Sequence, residues 1–256
     1  MIKLKSKEEI KILQEGGEKL SKIMRKLRDA VRFGINSSEL EEMAKKLIKE
    51  AGGEPAFLGY APQGKETYPS ALCLSINEAV VHTPASEGQE IKEGDTVSLD
   101  LGFRYKGLIT DMATTVVAGG AESRTKELIN ITKKSLEESI KECRVGAPIS
   151  AIGKKIENIV MGAGFSVIRE LGGHGVGYDV HEEPFVPNYY ERAMDNIIME
   201  EGMVIAIEPM VAMGNGEIEL AEDKWTYQTK DKSIAAHSEA TVAITANGLV
   251  ILTPIV

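Results

Sequence analysis

The chain has 256 residues, of which 43% are hydrophobic, enough for a sizeable core and incompatible with intrinsic disorder. Lys and Arg number 30 against 39 Asp and Glu, and a net charge of −9 leaves no broad basic surface for non-specific nucleic-acid binding. No apolar run approaches the roughly 18 residues of a membrane span. Met1-Ile2-Lys3-Leu4-Lys5 passes directly into a charged helical pattern, which argues against a signal peptide. Cys73 and Cys143 lie far apart and read as free thiols in a reducing compartment, so the cytoplasm is the expected location.

Ser6 to Glu9 forms a Ser-x-x-Glu capping box, and Ile10, Leu13, Leu20, Ile23, Met24, Leu27 and Val31 predict an amphipathic helix behind it. Ser38 to Glu41 is a second such box, opening a helix with Leu40, Met43, Ala44, Leu47, Ile48 and Ala51 on one face and Gly52-Gly53 at its end. The period then changes, and segments 72–76, 96–101 and 113–117 read as strands punctuated by Asn77, Pro84, Gly94, Gly102 and Gly107. The order then repeats, with helices predicted over 123–143 and 150–163 and strands over 203–207, 240–244 and 249–252.

With a shift of 112, Gly34 falls on Gly146, Ser38 on Ser150, Leu47 on Ile159 and Gly52 on Gly164. Amphipathic helices share apolar spacing by chance, but the matching glycines and serine favour a duplication. The expectation is one pseudo-symmetric α+β domain, 1–256, with halves of approximately 1–120 and 121–256, helices on one face of a sheet and a site on the other.

Four acids interrupt apolar strand segments: Asp100, Asp111, Glu208 and Glu239. Asp is depleted in strands, and an unpaired buried carboxylate costs several kcal/mol. A simple hairpin centred on Arg104-Tyr105-Lys106-Gly107 sets Asp100 and Asp111 directly opposite each other. Exposure at strand ends accounts for one such acid more readily than for four. No Lys or Arg interrupts these runs to serve as a partner. Two divalent cations neutralise the set and polarise a bridging water or hydroxide for hydrolysis.

The chain holds only four histidines. His174 sits in Gly172-Gly173-His174-Gly175-Val176-Gly177, whose glycines permit close approach of a ligand; a turn histidine is the alternative. His82 follows Ala79-Val80-Val81 and reads equally as a strand-end surface residue. His181 belongs to no His-Glu-x-x-His helix, because Phe185 stands at the second histidine position and Pro184 breaks the helix. His237, two residues before Glu239, reads as structural.

The ordered series Asp100, Asp111, His174, Glu208, Glu239 resembles the five metal ligands of the methionine aminopeptidases. Ser75-Ile76-Asn77-Glu78, Lys92-Glu93-Gly94-Asp95, His181-Glu182-Glu183-Pro184, Glu200-Glu201-Gly202-Met203, Ile207-Glu208-Pro209 and Trp225-Thr226 extend the resemblance to the type I branch over nearly the whole chain. It implies the pita-bread fold and hydrolytic removal of N-terminal methionine from nascent polypeptides by a hydroxide activated at two divalent metal ions (Co, Mn, Fe or Zn). By the same resemblance Asp100 chelates one metal, Asp111 and Glu239 bridge both, and His174 and Glu208 complete the ligand set of the other metal. His82 contacts the departing amide, His181 the scissile carbonyl, and Glu208 shuttles the proton. Tyr60, Tyr68, Cys73 and Trp225 resemble the methionine pocket. Nascent-chain N-termini are the implied partners, with the ribosome a possible docking site, no stable nucleic-acid binding, no membrane and a monomeric state.

Departures fall around the pocket. Ala61-Pro62-Gln63-Gly64-Lys65-Glu66-Thr67 is longer than the family's usual link between its tyrosines, and is expected to be a loop over the pocket. Val180 stands where phenylalanine is usual, Thr83 where glycine is common, Ala240 where histidine is common, and Gly102 in place of a frequent threonine. The alternatives are a metal-dependent aminopeptidase or proline-directed dipeptidase of different preference, and a non-catalytic pita-bread binding protein.

Overall fold

The computed structural model describes residues 1–61 and 66–256. The central part of the expected loop, residues 62–65, lies outside the described residues. Helix α1 spans Lys7–Ala30 and carries the Ser6/Glu9 capping box. Helix α2 spans Ser37–Glu50, but its cap is Asn36, whose side chain accepts from the Ser38 amide, with Glu39 completing the box. The box therefore lies two residues ahead of the expected Ser38–Glu41 pair. That shift frees Glu41, which is buried and accepts the Ala71 and Leu72 amides at 2.8 Å each. Helix α3 spans Ser123–Ile140 and α4 spans Ser150–Gly162.

The first sheet is built on a hairpin of Thr96–Tyr105 with Leu108–Val117, flanked by Cys73–Ile76 and Glu54–Pro55. Both hairpin strands run longer than expected, so Asp100 and Asp111 lie well inside them. The turn consists of Lys106 and Gly107 alone, with φ of 49° and 86°, the two-residue form whose twist matches that of the strands. This turn sets the register: Asp100 pairs with Ala113, and Asp111 with Gly102. The two acids are thus diagonal neighbours on one face, not the directly opposed pair expected from a four-residue turn.

The second large sheet has the order Gly248–Ile251, Ala240–Thr245, Val204–Ile207, Gly172–Gly175, Glu182–Pro187. It is tied to the hairpin at its centre. The Asp111 amide donates to Thr241 Oγ1 at 2.9 Å, that hydroxyl donates to Asp111 O at 2.7 Å, and the Glu239 amide donates to Ala113 O at 2.9 Å. Two three-stranded sheets close the ends, and all pairings are antiparallel.

One apolar cluster packs α1 and α2 (Leu20, Met24, Leu27, Leu40, Ile48) on Leu72, Leu74, Val97, Leu99 and Phe103. Another packs α3 and α4 (Leu128, Leu136, Ile152, Ile156, Val160) on Ile205, Ile207, Val242 and Ile244. Each fully buried side chain of this size stabilises the fold by about 1.5–3 kcal/mol relative to exposure. A third cluster, including Leu13, Ile109, Val204, Ala243 and Leu252, joins the two and continues into the site through Tyr68, Cys73 and Val180. Close approach of α1 depends on Gly17, where a Cβ would stand 2.1 Å from Leu252 O. No helix among the described residues is long and apolar enough to cross a membrane.

Candidate metal centre and substrate pocket

A cavity of about 410 Å³ opens where the two large sheets meet. Asp100, Asp111, His174, Glu208 and Glu239 all line it, and each comes from a different segment. One ligand atom each from Asp111, His174 and Glu239 lie within 4.8 Å of one another. His174 Nε2 faces Glu208 Oε1 at 3.4 Å. The His174 ring is oriented by its Nδ1, 2.9 Å from Gly175 O. A carbonyl only accepts, so Nδ1 carries the proton and Nε2 presents a lone pair to the acids.

The electrostatics of this cluster are one-sided. Burial pushes the Asp100, Glu208 and Glu239 carboxyls well above their usual range, with the charge on Asp111 adding to it, and burial lifts Asp111 to about 7. Burial, reinforced by His181, holds His174 down to about 3, so its imidazole is neutral. No Lys or Arg lines the cavity among the described residues. Asp100 Oδ1, Asp111 Oδ1 and Glu239 Oε1 are buried without a hydrogen-bond partner. Each orphaned acceptor costs about 1–3 kcal/mol, more when charged. Hard oxygen donors, a neutral imidazole with a fixed tautomer and unmet negative charge are the donor set of a divalent transition metal.

His82 has φ of 63°, a left-handed conformation that costs a non-glycine residue about 1–3 kcal/mol and recurs at functional sites. It lines the cavity, with its ring edge-on to Tyr227 at 5.8 Å. The His181 ring stands 4.5 Å from that of His174, and its Nδ1 lies 2.9 Å from the Tyr60 hydroxyl. Burial lowers its pKa, so it too is neutral near pH 7. Tyr68 packs edge-on against Trp225 at 5.1 Å and donates to Cys73 Sγ at 3.0 Å. Burial, then the charge of Asp100, raises the Cys73 thiol, so it is a neutral wall group and no nucleophile. All eleven residues expected at the site therefore share one cavity.

Two further residues belong here that were not expected at the site. Phe57 lines the cavity beside Tyr68, Cys73 and Val180. Its signal in the sequence was indirect: a Cβ at Gly102 would stand 2.6 Å from Phe57 Cε1, so Phe57 accounts for the missing threonine. His237, read as structural, is 1% exposed and sets Nε2 3.5 Å from Glu208 Oε2, with no hydrogen-bond partner on either ring nitrogen. Its nearness to Glu239 in the sequence was the available signal, although the strand Ala235–His237 ends before Glu239.

The sequence pattern of metallopeptidase family M24 matches residues 11–246. A methionine aminopeptidase of Aquifex aeolicus is 42% identical over 254 residues, covering 98% of each chain. The solved methionine aminopeptidase of Thermotoga maritima superposes with a TM-score of 0.93 at 38% identity, covering 99% of each chain. A prolidase from Pyrococcus horikoshii shares the fold with a TM-score of 0.77 at 25% identity, covering 99% of this chain and 64% of its own.

Proposed function

The chain belongs to metallopeptidase family M24, and from that premise we propose that it removes the N-terminal methionine from nascent polypeptides, using two divalent cations. The observation that carries this reading is the cluster of four carboxylates and one neutral imidazole lining a largely apolar pocket, with no Lys or Arg among the described residues that line it. Asp100 is assigned to one metal, Asp111 and Glu239 to both, and His174 and Glu208 to the other. Co, Mn, Fe and Zn all suit this donor set. When bound, the cations supply Lewis acidity and bring the pKa of a water molecule down towards neutrality.

The remaining steps belong to the protein. The tautomer assigned to neutral His181 accepts from the Tyr60 hydroxyl at Nδ1, 2.9 Å away, and carries its proton on Nε2, which it offers to the scissile carbonyl oxygen, whose negative charge grows in the transition state. His82, held by its left-handed backbone at the cavity wall, is assigned to the departing amide. Glu208 is assigned the proton transfer to the leaving amine, a task suited to a carboxyl whose pKa burial has raised. Phe57, Tyr68, Cys73, Val180 and Trp225 offer the unbranched methionine side chain an apolar slot. The reading includes one catalytic domain with halves of about 1–120 and 121–256, supported by the two apolar clusters drawn from either side of that division. It also includes a cytoplasmic monomer that meets nascent chains at the ribosome.

Hydrolysis of Met-Ala-Ser and of Ala-Pro by metal-stripped protein, reloaded with each candidate metal in turn, tests the proposal. Release of methionine that saturates at two metal equivalents is expected. Cleavage of Ala-Pro with Met-Ala-Ser untouched overturns it in favour of the dipeptidase reading.

A further inference from the structure

We propose that Lys5 and Glu182 form a positioning pair that holds His181 in its working orientation, which makes the segment ahead of α1 part of the catalytic apparatus. The inference rests on the role given to His181 above. Lys5 Nζ lies 2.7 Å from Glu182 Oε2, and the two side chains are 1% and 2% exposed. The ammonium also donates to Lys3 O at 3.0 Å. The other carboxylate oxygen, Oε1, accepts the amides of Tyr178 and Asp179, at 2.6 and 3.0 Å. Glu182 thereby closes the turn 178–182 on itself, and His181 is the residue immediately before it.

Both ends of the pair are anchored. The Lys5 amide donates to Gly202 O at 2.7 Å. The Gly177 carbonyl accepts from the Ile109 amide at 2.7 Å, which ties the base of the turn to the hairpin that carries Asp111. A Cβ at Gly177 would stand 2.5 Å from Lys5 Cε, so the chain keeps room for the lysine at that point. The Tyr178 hydroxyl donates to Glu9 Oε1 at 2.7 Å, a second tie between α1 and the turn. Lys3 with Asp179 is a third, but it is exposed and screened by solvent.

A buried ion pair is weak evidence for stability, because its desolvation cost rivals its Coulomb gain, whereas it does define geometry. The geometry here matters. The His181 side chain touches only Tyr60 and His174 among the contacts described for it, so its placement follows the turn beneath it. Catalytic groups need placement to within about 0.5 Å.

The test compares Lys5→Met, His181→Ala and the double variant, each with metal content and folding verified. Lys5→Met is expected to lower kcat roughly 10- to 100-fold with KM nearly unchanged, to shift the ring signal of His181 in the metal-free protein's histidine NMR spectrum, and to cost nothing further once His181 is alanine. Glu182→Gln, which keeps an acceptor for the two amides but removes the charge, takes its place if Lys5→Met does not accumulate folded. Wild-type kcat in a folded pair variant, or losses that multiply fully with His181→Ala, overturns the positioning role. Wild-type kcat in His181→Ala alone instead overturns the underlying assignment, and the pair's role with it.

Discussion

His237 Nε2 lies 3.5 Å from Glu208 Oε2, while His174 Nε2 lies 3.4 Å from Glu208 Oε1. Two imidazoles thus face different oxygens of one carboxylate, and burial holds both near a pKa of 3 and therefore neutral. Loss of a group that orients a ligating carboxylate typically costs about 10–100-fold in metal affinity. His237→Leu is expected to weaken metal binding by that factor, and His237→Gln, which retains a donor, by less. Titration calorimetry on the stripped protein measures this. Equal affinities for all three proteins would mean that His237 only fills space.

Asp111→Asn is expected to abolish metal binding and activity while leaving the fold intact. Its charge is the one that raises the carboxyls of Asp100, Glu208 and Glu239 after burial itself. Removing it relieves repulsion, and a gain of about 1 kcal/mol raises the Tm of the metal-free protein by about 2–4 °C. Turnover near wild type in this variant, with its metal content measured, would rule out Asp111 as a ligand that bridges two metals.

His82→Ala and His181→Ala are expected to keep their metal and lose about 10²–10⁴-fold in kcat, since the proposed roles of both groups are on the transition state. Metal analysis alongside kinetics separates the roles. A parallel fall in metal content would make that histidine a ligand.

The metal-free protein should become less stable as pH rises through and above about 7. The folded pKa values of the four carboxyls lie above their unfolded values, with Asp111 at about 7. Their stabilising contribution is therefore complete below the ordinary carboxylate range and is lost as pH rises through the folded values. His174 and His237 act oppositely, their contribution being lost as pH falls below about 6.5, and they do not titrate in this window. Calorimetric scans in chelator should show Tm falling across the window, with the slope abolished by metal. A Tm that rises in chelator would contradict the assignment of these shifts.

Gly102→Thr is expected to destabilise the protein by about 1–3 kcal/mol, the usual cost of overpacking, because a Cβ there meets Phe57 Cε1 at 2.6 Å and Ala56 Cβ at 2.9 Å. Adding Phe57→Ala should recover part of that loss and widen the pocket. Urea denaturation gives the coupling, and relative kcat/KM for methionine against leucine and norleucine reports the pocket. Full additivity of the two substitutions would remove Phe57 as the reason for Gly102.

The acids proposed as metal ligands stood out in the sequence because a carboxylate among apolar strand residues is a local anomaly; Asp100 and Asp111 lie within their strands, whereas Glu208 and Glu239 lie just outside Val204–Ile207 and Ala240–Thr245. The Ser6/Glu9 cap was legible for the same reason, since its bonds span three residues. Helix α2 shows the limit: two overlapping boxes competed, and Glu41 was claimed by the Ala71 and Leu72 amides some 30 residues away. Resemblance supplied the roles of His82 and His181, which their local sequence left open.

The amino-acid sequence by itself determined the helices and the strands bearing Asp100 and Asp111, because periodicity, capping and misplaced charge are short-range properties of the chain, while resemblance grouped the five proposed donors. Only the tertiary structure decided the register of Asp100 and Asp111, the burial of His237 against Glu208, the Phe57–Gly102 contact and the Lys5–Glu182 pair, whose members are 177 residues apart. A turn shorter by two residues moved the first, and close packing of segments remote in the chain made the others. Such contacts depend on which surfaces meet, and no local pattern encodes that.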